Sequence, residues 1–353
     1  MKKLAPIAAA AFLACGFAQA QTSSVQIFGL LDLNVGHYTG GGVSQTVLGT
    51  DGYQSSRLGF RGQEDLGGGL QASFWLESGI NPDSGTGGTT NTNNQSTGGA
   101  GGGGIVFGRR STVSLSGAFG ELRLGRDYTP GFWNLSNFHP FGTNGVGSAG
   151  ILFYPVQGGA RITNVRASNS IGYFLPKMSS GIYGQAMYAI AENLSTSATR
   201  QDGRLVGIRL GYAGGPIDAA FGYSKTTLTP VGDFTQINLG GTYDFGMAKV
   251  FALWGQNKVG ATKTKPWNIG VHVPVGAGVI RAAYGRVKTT GVANDAGQFT
   301  VGYLHNLSKR TALYTNFSAI DNKGTGTNYN VGAPVTVPGG NSRGYEAGIR
   351  HSF

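Results

Sequence analysis

From Ser24 onward the chain breaks into segments of about ten residues in which apolar and polar side chains alternate. Successive side chains of a β-strand point to opposite faces, so this period admits strands and little else. Ile27, Gly29, Leu31, Leu33 and Val35 share one parity, and Gln26, Asp32 and Asn34 share the other. Val206, Ile208, Leu210 and Tyr212 alternate in the same way with Gly207, Arg209 and Gly211, as do Phe299, Val301 and Tyr303 with Gln298, Thr300 and Gly302. The 63 glycines follow no collagen period, and each would cost a helix interior up to about 1 kcal/mol relative to alanine. Long helices are therefore excluded.

A soluble sandwich also alternates, so the connections decide between the two. Seven are tight: Asp65 to Gly69, Gly117 to Gly120, Pro176 to Gly181, Ala213 to Pro216, Asp244 to Gly246, Val275 to Gly278, and Leu307 to Arg310. Each joins two strands, and one strand before and one after bring the total to sixteen. Eight longer polar connections are expected between these hairpins, among them Ile80 to Gly104, Tyr128 to Ser168 and Asp321 to Ser342. Short turns at one end and long loops at the other are the pattern of an outer-membrane barrel. About 21 residues per strand and connection leave room for tilted spans of 9–11 residues.

Closure is obligatory, because an open sheet edge in hydrocarbon strands its N–H and C=O groups at several kcal/mol each. The expected fold is all-β: one transmembrane antiparallel barrel of sixteen strands over residues 21–353, wide enough to enclose water. Charged residues make up only 12% of the chain, against about 25% in soluble domains, consistent with a surface that does not face water all round. Tyr173, Phe174, Tyr188, Tyr212, Tyr243, Trp254, Tyr303 and Tyr345 stand at strand ends, where interfacial girdles form.

The first twenty residues have a separate logic. Lys2 and Lys3 precede an apolar run from Leu4 to Phe17 and the small-residue site Ala18-Gln19-Ala20, the layout of a cleavable secretory signal, so the mature chain is expected to begin at Gln21. The run is too short to span a bilayer, and no later segment reaches about 18 consecutive apolar residues. The single cysteine, Cys15, falls inside the signal, which leaves the exported chain no disulfide. Leu13-Ala14-Cys15-Gly16 loosely matches a lipidation signal, but Phe12 and Leu13 fit that pattern poorly.

Without Lys2 and Lys3 the chain carries 25 basic and 16 acidic residues, a formal charge of +9. The basic residues are scattered singly along strands, which speaks against a nucleic-acid partner. His37, His139, His272, His305 and His351 are dispersed with no catalytic or metal-ligand spacing, so no enzyme activity, metal or cofactor is expected. The Gly-, Ser- and Thr-rich stretch from Asp83 to Gly104 lacks the strand–helix context of a phosphate loop and reads as a surface loop. A surface adhesin on a plugged barrel is the rival reading from another class.

The run from Ser56 through Arg57-Leu58-Gly59-Phe60-Arg61-Gly62-Gln63-Glu64-Asp65 to Leu70 resembles the second strand and first tight turn of the Gram-negative general porins, especially those of β-proteobacteria. Phe107-Gly108-Arg109, Leu124-Gly125-Arg126, Leu307-Ser308-Lys309-Arg310-Thr311 and the terminus Gly348 to Phe353 resemble further landmarks of the same family, in order across the mature chain. The segment from Arg109 to Asp127 is similar to the anion-selective members. The resemblance implies a homotrimer in outer-membrane lipid, with the third long loop folded into each pore as its constriction. It also implies a terminal Phe353 read by the barrel-assembly machinery.

In such pores wall arginines face acidic groups on the inward loop. The resemblance carries the wall positions onto Arg57, Arg109 or Arg110, and Arg166. Parity supports Arg57, since Leu58 and Phe60 take the other face. It favours Arg110 over Arg109, whereas the family motif favours Arg109, and a bulge would reconcile the two. Glu77 falls at lumen parity, as a group that either meets solutes or holds an arginine upright. Arg61, Arg161, Arg209 and Arg281 are further lumen candidates.

The loop departs from the family, with no Asp or Glu from Tyr128 to Ala191, leaving Asp127 at its base as the one stand-in. Small anionic solutes are the expected permeants, with a weakly selective general porin as the alternative.

Overall fold

The computed structural model describes residues 23–100, 104–154 and 163–353. The signal segment 1–20 and Arg161 lie outside the described residues. Sixteen antiparallel strands close a barrel. They are β1 Ser23–Gly40, β2 Arg57–Gly67, β3 Leu70–Asn81, β4 Arg110–Gly117, β5 Gly120–Tyr128, β6 Arg166–Phe174, β7 Ile182–Ala189 and β8 Leu205–Gly214, followed by β9 Ile217–Thr226, β10 Phe234–Asp244, β11 Lys249–Val259, β12 Thr262–Val275, β13 Gly278–Thr290, β14 Ala296–Asn306, β15 Thr311–Asn322 and β16 Ser342–Ser352.

Each strand pairs with its chain neighbours, and the seam joins the first strand to the last. The first half of β1 pairs with β2 from Ser23 opposite Glu64 to Leu30 opposite Arg57, and its other edge pairs with β16 from Leu30 opposite Ser352 to Gly40 opposite Ser342. The terminal Phe353 locks the seam by exchanging both backbone hydrogen bonds with Gly29, at 3.1 and 3.0 Å. With no free edge, every strand has its ladder satisfied inside the membrane.

The alternation read from the sequence sorts the side chains. Ile27 and Val35 point outward at 66% and 57% exposure, while Asp32 and Asn34 on the same strand are almost fully covered inside. Val206, Ile208, Leu210 and Tyr212 face outward, as do Phe299 and Val301. Seven tight turns stand where expected, at the end where β1 begins and β16 finishes.

Two expectations need correction. One of the eight longer connections is not long, because β11 ends at Val259 and β12 begins at Thr262. The strands themselves continue upward there, so chain length was spent on ladder rather than loop. Phe174, expected in the girdle, takes lumen parity opposite Glu121 and lies 4.0 Å beneath the Arg123 guanidinium.

Loops at the other end decorate the rim. The first, residues 41–56, forms an extra strand, Val43–Thr50, that pairs with the upper half of β1. The third, described over residues 129–154 and 163–165, turns inward and carries two short helices, α1 Pro130–Asn137 and α2 Ala149–Phe153. Pro130 starts α1, where a missing N–H costs nothing. Ser148 caps α2 by accepting a hydrogen bond from the Gly150 amide at 3.0 Å.

Candidate functional site: the constriction of the pore

The described residues of the third loop enter the lumen and are tied to the wall at several points between Pro130 and Phe153. Helix α1 packs against β7 to β10, and α2 against β12 and β13. Asn134, fully buried, donates to Ala220 O at 3.0 Å and to Asn238 Oδ1 at 2.8 Å, and accepts from Arg209 Nε at 2.6 Å. Asn257 Nδ2 donates to Phe153 O at 2.7 Å, Gln298 Nε2 to Val146 O at 3.0 Å, and His272 Nε2 lies 2.6 Å from Pro140 O. Val146 N donates to Glu346 Oε1 at 3.2 Å.

Gly145 sits there with φ +67, and a Cβ at this position would collide with Gly52 O and Glu346 Oε1. Only glycine allows both that backbone and that approach. His139 lies inside this seat, and burial pushes its imidazole down to about 3, with Arg281 and His272 adding to the effect.

Opposite the loop, β2 to β6 present the arginines. Arg57, Arg109, Arg110 and Arg166 surround one void of about 450 Å3 together with Trp75, Glu77 and Tyr128, and the loop closes it with Phe132, Trp133, Thr143, Asn144 and Tyr154. Arg109 and Arg110 both enter the throat. The Arg109 amide donates to Glu77 O, and Arg110 is also the ladder partner of Glu77, so two residues of one strand oppose one of the next, as in a bulge.

Glu77, 3% exposed, accepts from Arg109 Nε at 2.6 Å, from Arg57 Nη1 at 3.4 Å and from Trp75 Nε1 at 3.0 Å. Arg166 donates through Nε to Arg109 O at 2.7 Å and stacks 4.5 Å above the Tyr128 ring. The Tyr128 hydroxyl accepts from Arg109 Nη2 at 3.0 Å and Arg166 Nη2 at 2.9 Å. Asp127 is taken up by Arg123 Nη1 at 2.5 Å and by Arg110 Nε at 3.6 Å. It is a counter-charge in the wall, not a group on the loop.

Of the secondary candidates, Arg61 faces the lumen below the throat, 5.2 Å from Trp75 and 5.3 Å from Phe28. Arg209 and Arg281 have lumen parity but do not line the open throat. Arg209 holds Asn134 of α1, and Arg281 is 3% exposed between Tyr53 and Phe141 with Nη2 on Asn316 Oδ1. The inward loop covers both positions, and parity alone cannot report such cover. The four guanidiniums thus line the void with one carboxylate, Glu77, while Asp127 lies behind Arg110 and is shared with Arg123, and no described loop residue there is acidic. The Trp133 Nε1 donor has no acceptor among the described residues.

Sequence reasoning missed Tyr128 and Arg123. Counting from Leu122 and Leu124 gives Tyr128 outward parity, and it turns inward because β5 ends there and its ring stacks 4.8 Å from Phe132 of α1. Arg123 was legible at lumen parity on β5, opposite Ser114.

A closed barrel of sixteen strands, with an inward third loop narrowing a charged lumen, is a diffusion pore of the outer membrane. Residues 7–325 match the family described as Gram-negative porin, and the chain belongs to that family. It is 39% identical to outer membrane porin protein 32 of Delftia acidovorans over 364 residues, covering 98% of this chain and 99% of the relative. An outer membrane porin protein of Bordetella pertussis is 28% identical over 381 residues, covering 89% of this chain and 93% of the relative.

Among solved structures, the anion-selective porin from Comamonas acidovorans superposes with a TM-score of 0.82 at 38% identity, over 94% of this chain and all of that one. A loop-deletion mutant of OmpT from Vibrio cholerae, at 14% identity and a TM-score of 0.67 over 94% of this chain and 99% of that one, shares the fold alone. The chain is an outer-membrane porin, a water-filled channel for passive diffusion of small hydrophilic solutes.

Proposed function

We propose that the channel prefers anions, and that Arg57, Arg109, Arg110 and Arg166 set the preference. The carrying observation is the imbalance at the throat, four guanidiniums whose ion pairs among the described residues reach two carboxylates, Glu77 and Asp127, opposite a loop without carboxylates. Unit charges 4 Å apart interact by about 1 kcal/mol in water and about 4 kcal/mol at an effective dielectric of 20, so a small excess biases the ion flux several-fold. Arginine suits a fixed wall, because its planar fork can hold a carboxylate, a hydroxyl and a ring face while keeping its charge at any physiological pH. Reversal potential in a salt gradient across a planar bilayer should carry the sign of anion flow. A cation-signed potential would exclude the reading, and the absence of stepwise conductance would favour the adhesin.

The working form is read as a homotrimer of mature chains beginning at Gln21 after signal cleavage. The apolar outer face of β1, with Val25, Ile27, Leu31 and Val35 exposed, supports the association. Phe353, outward and 49% exposed at the end of the outward row that Tyr345 and Ile349 begin, is the element read as the assembly signal. No step of this function requires a catalytic group, metal or cofactor.

A further inference from the structure

Among the described residues no lysine lines the throat, and four of them gather on the outer wall. Lys258, Lys263, Lys265 and Lys288 share the outward face of three neighbouring strands, β11 to β13, at the long-loop end. Lys258 stands directly opposite Lys263 across β11 and β12, and Lys265 directly opposite Lys288 across β12 and β13. Like charges facing each other across a ladder are destabilising, and two adjacent pairs compound the effect. The ion pairs of the described residues offer them no carboxylate. Acids on the surrounding strands and connections are engaged elsewhere: Asp233 by Lys225 at 2.7 Å, Asp321 by Lys323, and Asp295 by the Thr289 amide at 2.7 Å.

Just below lies an aromatic floor. Trp254 and Trp267 are ladder partners, and Trp267 meets Tyr284 edge-on at 5.8 Å, with all three exposed outward. At about 3.4 Å per residue and a tilt near 40°, residues two to four positions above this girdle stand on the order of 5–10 Å higher, at headgroup level.

We propose that this cationic arc is a binding site for the phosphate groups of a phosphorylated lipid in the outer leaflet. An anion placed between two facing lysines removes the repulsion that the ladder imposes, and the aromatic floor beneath is suited to the acyl–headgroup boundary. Lysine, a compact and strongly hydrated point charge on a flexible stem, fits a mobile headgroup as arginine fits the rigid throat. The inference rests on the outer-membrane location and not on the selectivity of the pore.

The test compares retention of bis-phosphorylated lipid A with that of the same lipid stripped of phosphate, using the assembled porin in mild detergent and native mass spectrometry. Wild type should retain the phosphorylated form at least about tenfold better, with a margin that shrinks as salt rises. Exchanging Lys258, Lys263, Lys265 and Lys288 together for glutamine should abolish the margin, whereas Lys249→Gln with Lys309→Gln, at the opposite rim, should keep it. Should the fourfold variant not assemble, Lys265→Gln and Lys288→Gln separately carry the comparison. Equal retention of the two lipids by wild type, an unchanged margin in the arc variants, or displacement of the lipid by millimolar inorganic phosphate alone would overturn the proposal.

Discussion

Glu77 is the pivot of the throat at the scale of single residues. It is buried, takes hydrogen bonds from Arg109 and Trp75, and faces Arg57, so it both dampens the positive potential and fixes the geometry of two guanidiniums. Glu77→Gln keeps the shape and removes the charge. The reversal potential should move further in the anion direction, and the folded barrel should lose roughly 3 kcal/mol or more, because two arginines are left without their counter-charge. Unchanged selectivity with unchanged thermal stability would contradict this role.

Parity in the sequence sufficed for Arg57, Glu77 and Arg110, since a strand leaves a side chain two directions only. It could not place Arg109 and Tyr128, which lie where β4 begins and β5 ends and where backbone geometry departs from the two-residue repeat.

At the scale of elements, the described part of the third loop is an insert seated in the lumen. Its helices are too short to stand alone, and its hold on the wall comes from two sources: Leu135, Phe138, Leu152 and Phe153 are buried in one apolar cluster with Ala220, Leu253 and Val287 of the wall, and side-chain bonds to carbonyls and amides are each worth about 1 kcal/mol net but costly to leave unmade in a buried site. His139 makes that seat pH-dependent. Its folded value lies near 3, below the ordinary 6.5, so between those values the unfolded chain binds a proton that the folded loop refuses. Its contribution to stability is therefore intact above about pH 6.5 and falls as the pH drops toward 3.

The thermal midpoint of the wild type should decline over that interval, and His139→Asn should flatten part of the decline. Identical pH profiles for the two proteins would show that His139 plays no part in it. That a third loop would fold inward came from the family resemblance. The absence of carboxylates along it was plain in the sequence, but the partners that hold it come from strands up to 200 residues away, as with Val146 and Glu346, and no local pattern encodes such contacts.

At the scale of the whole molecule, the strand count, the tight turns and the inside–outside sorting were legible because a barrel in lipid enforces them at every residue. Net charge is a poorer guide. The excess of +9 over residues 21–353 includes lysines on the outer face and turn residues at the rim, and charges farther than about 8 Å from the permeating ion are screened at physiological salt. Selectivity therefore belongs to the throat, not to the total.

The most direct test is the reversal potential of the double variant Arg57→Glu with Arg166→Glu, measured in a salt gradient beside the wild type and a Lys309→Gln, Arg310→Gln control in the opposite turn. Each glutamate shifts the local charge by two units, so the double variant should turn cation-selective while the control stays with the wild type. A double variant that assembles, conducts and keeps the anion preference of the wild type would show that these arginines are not the filter.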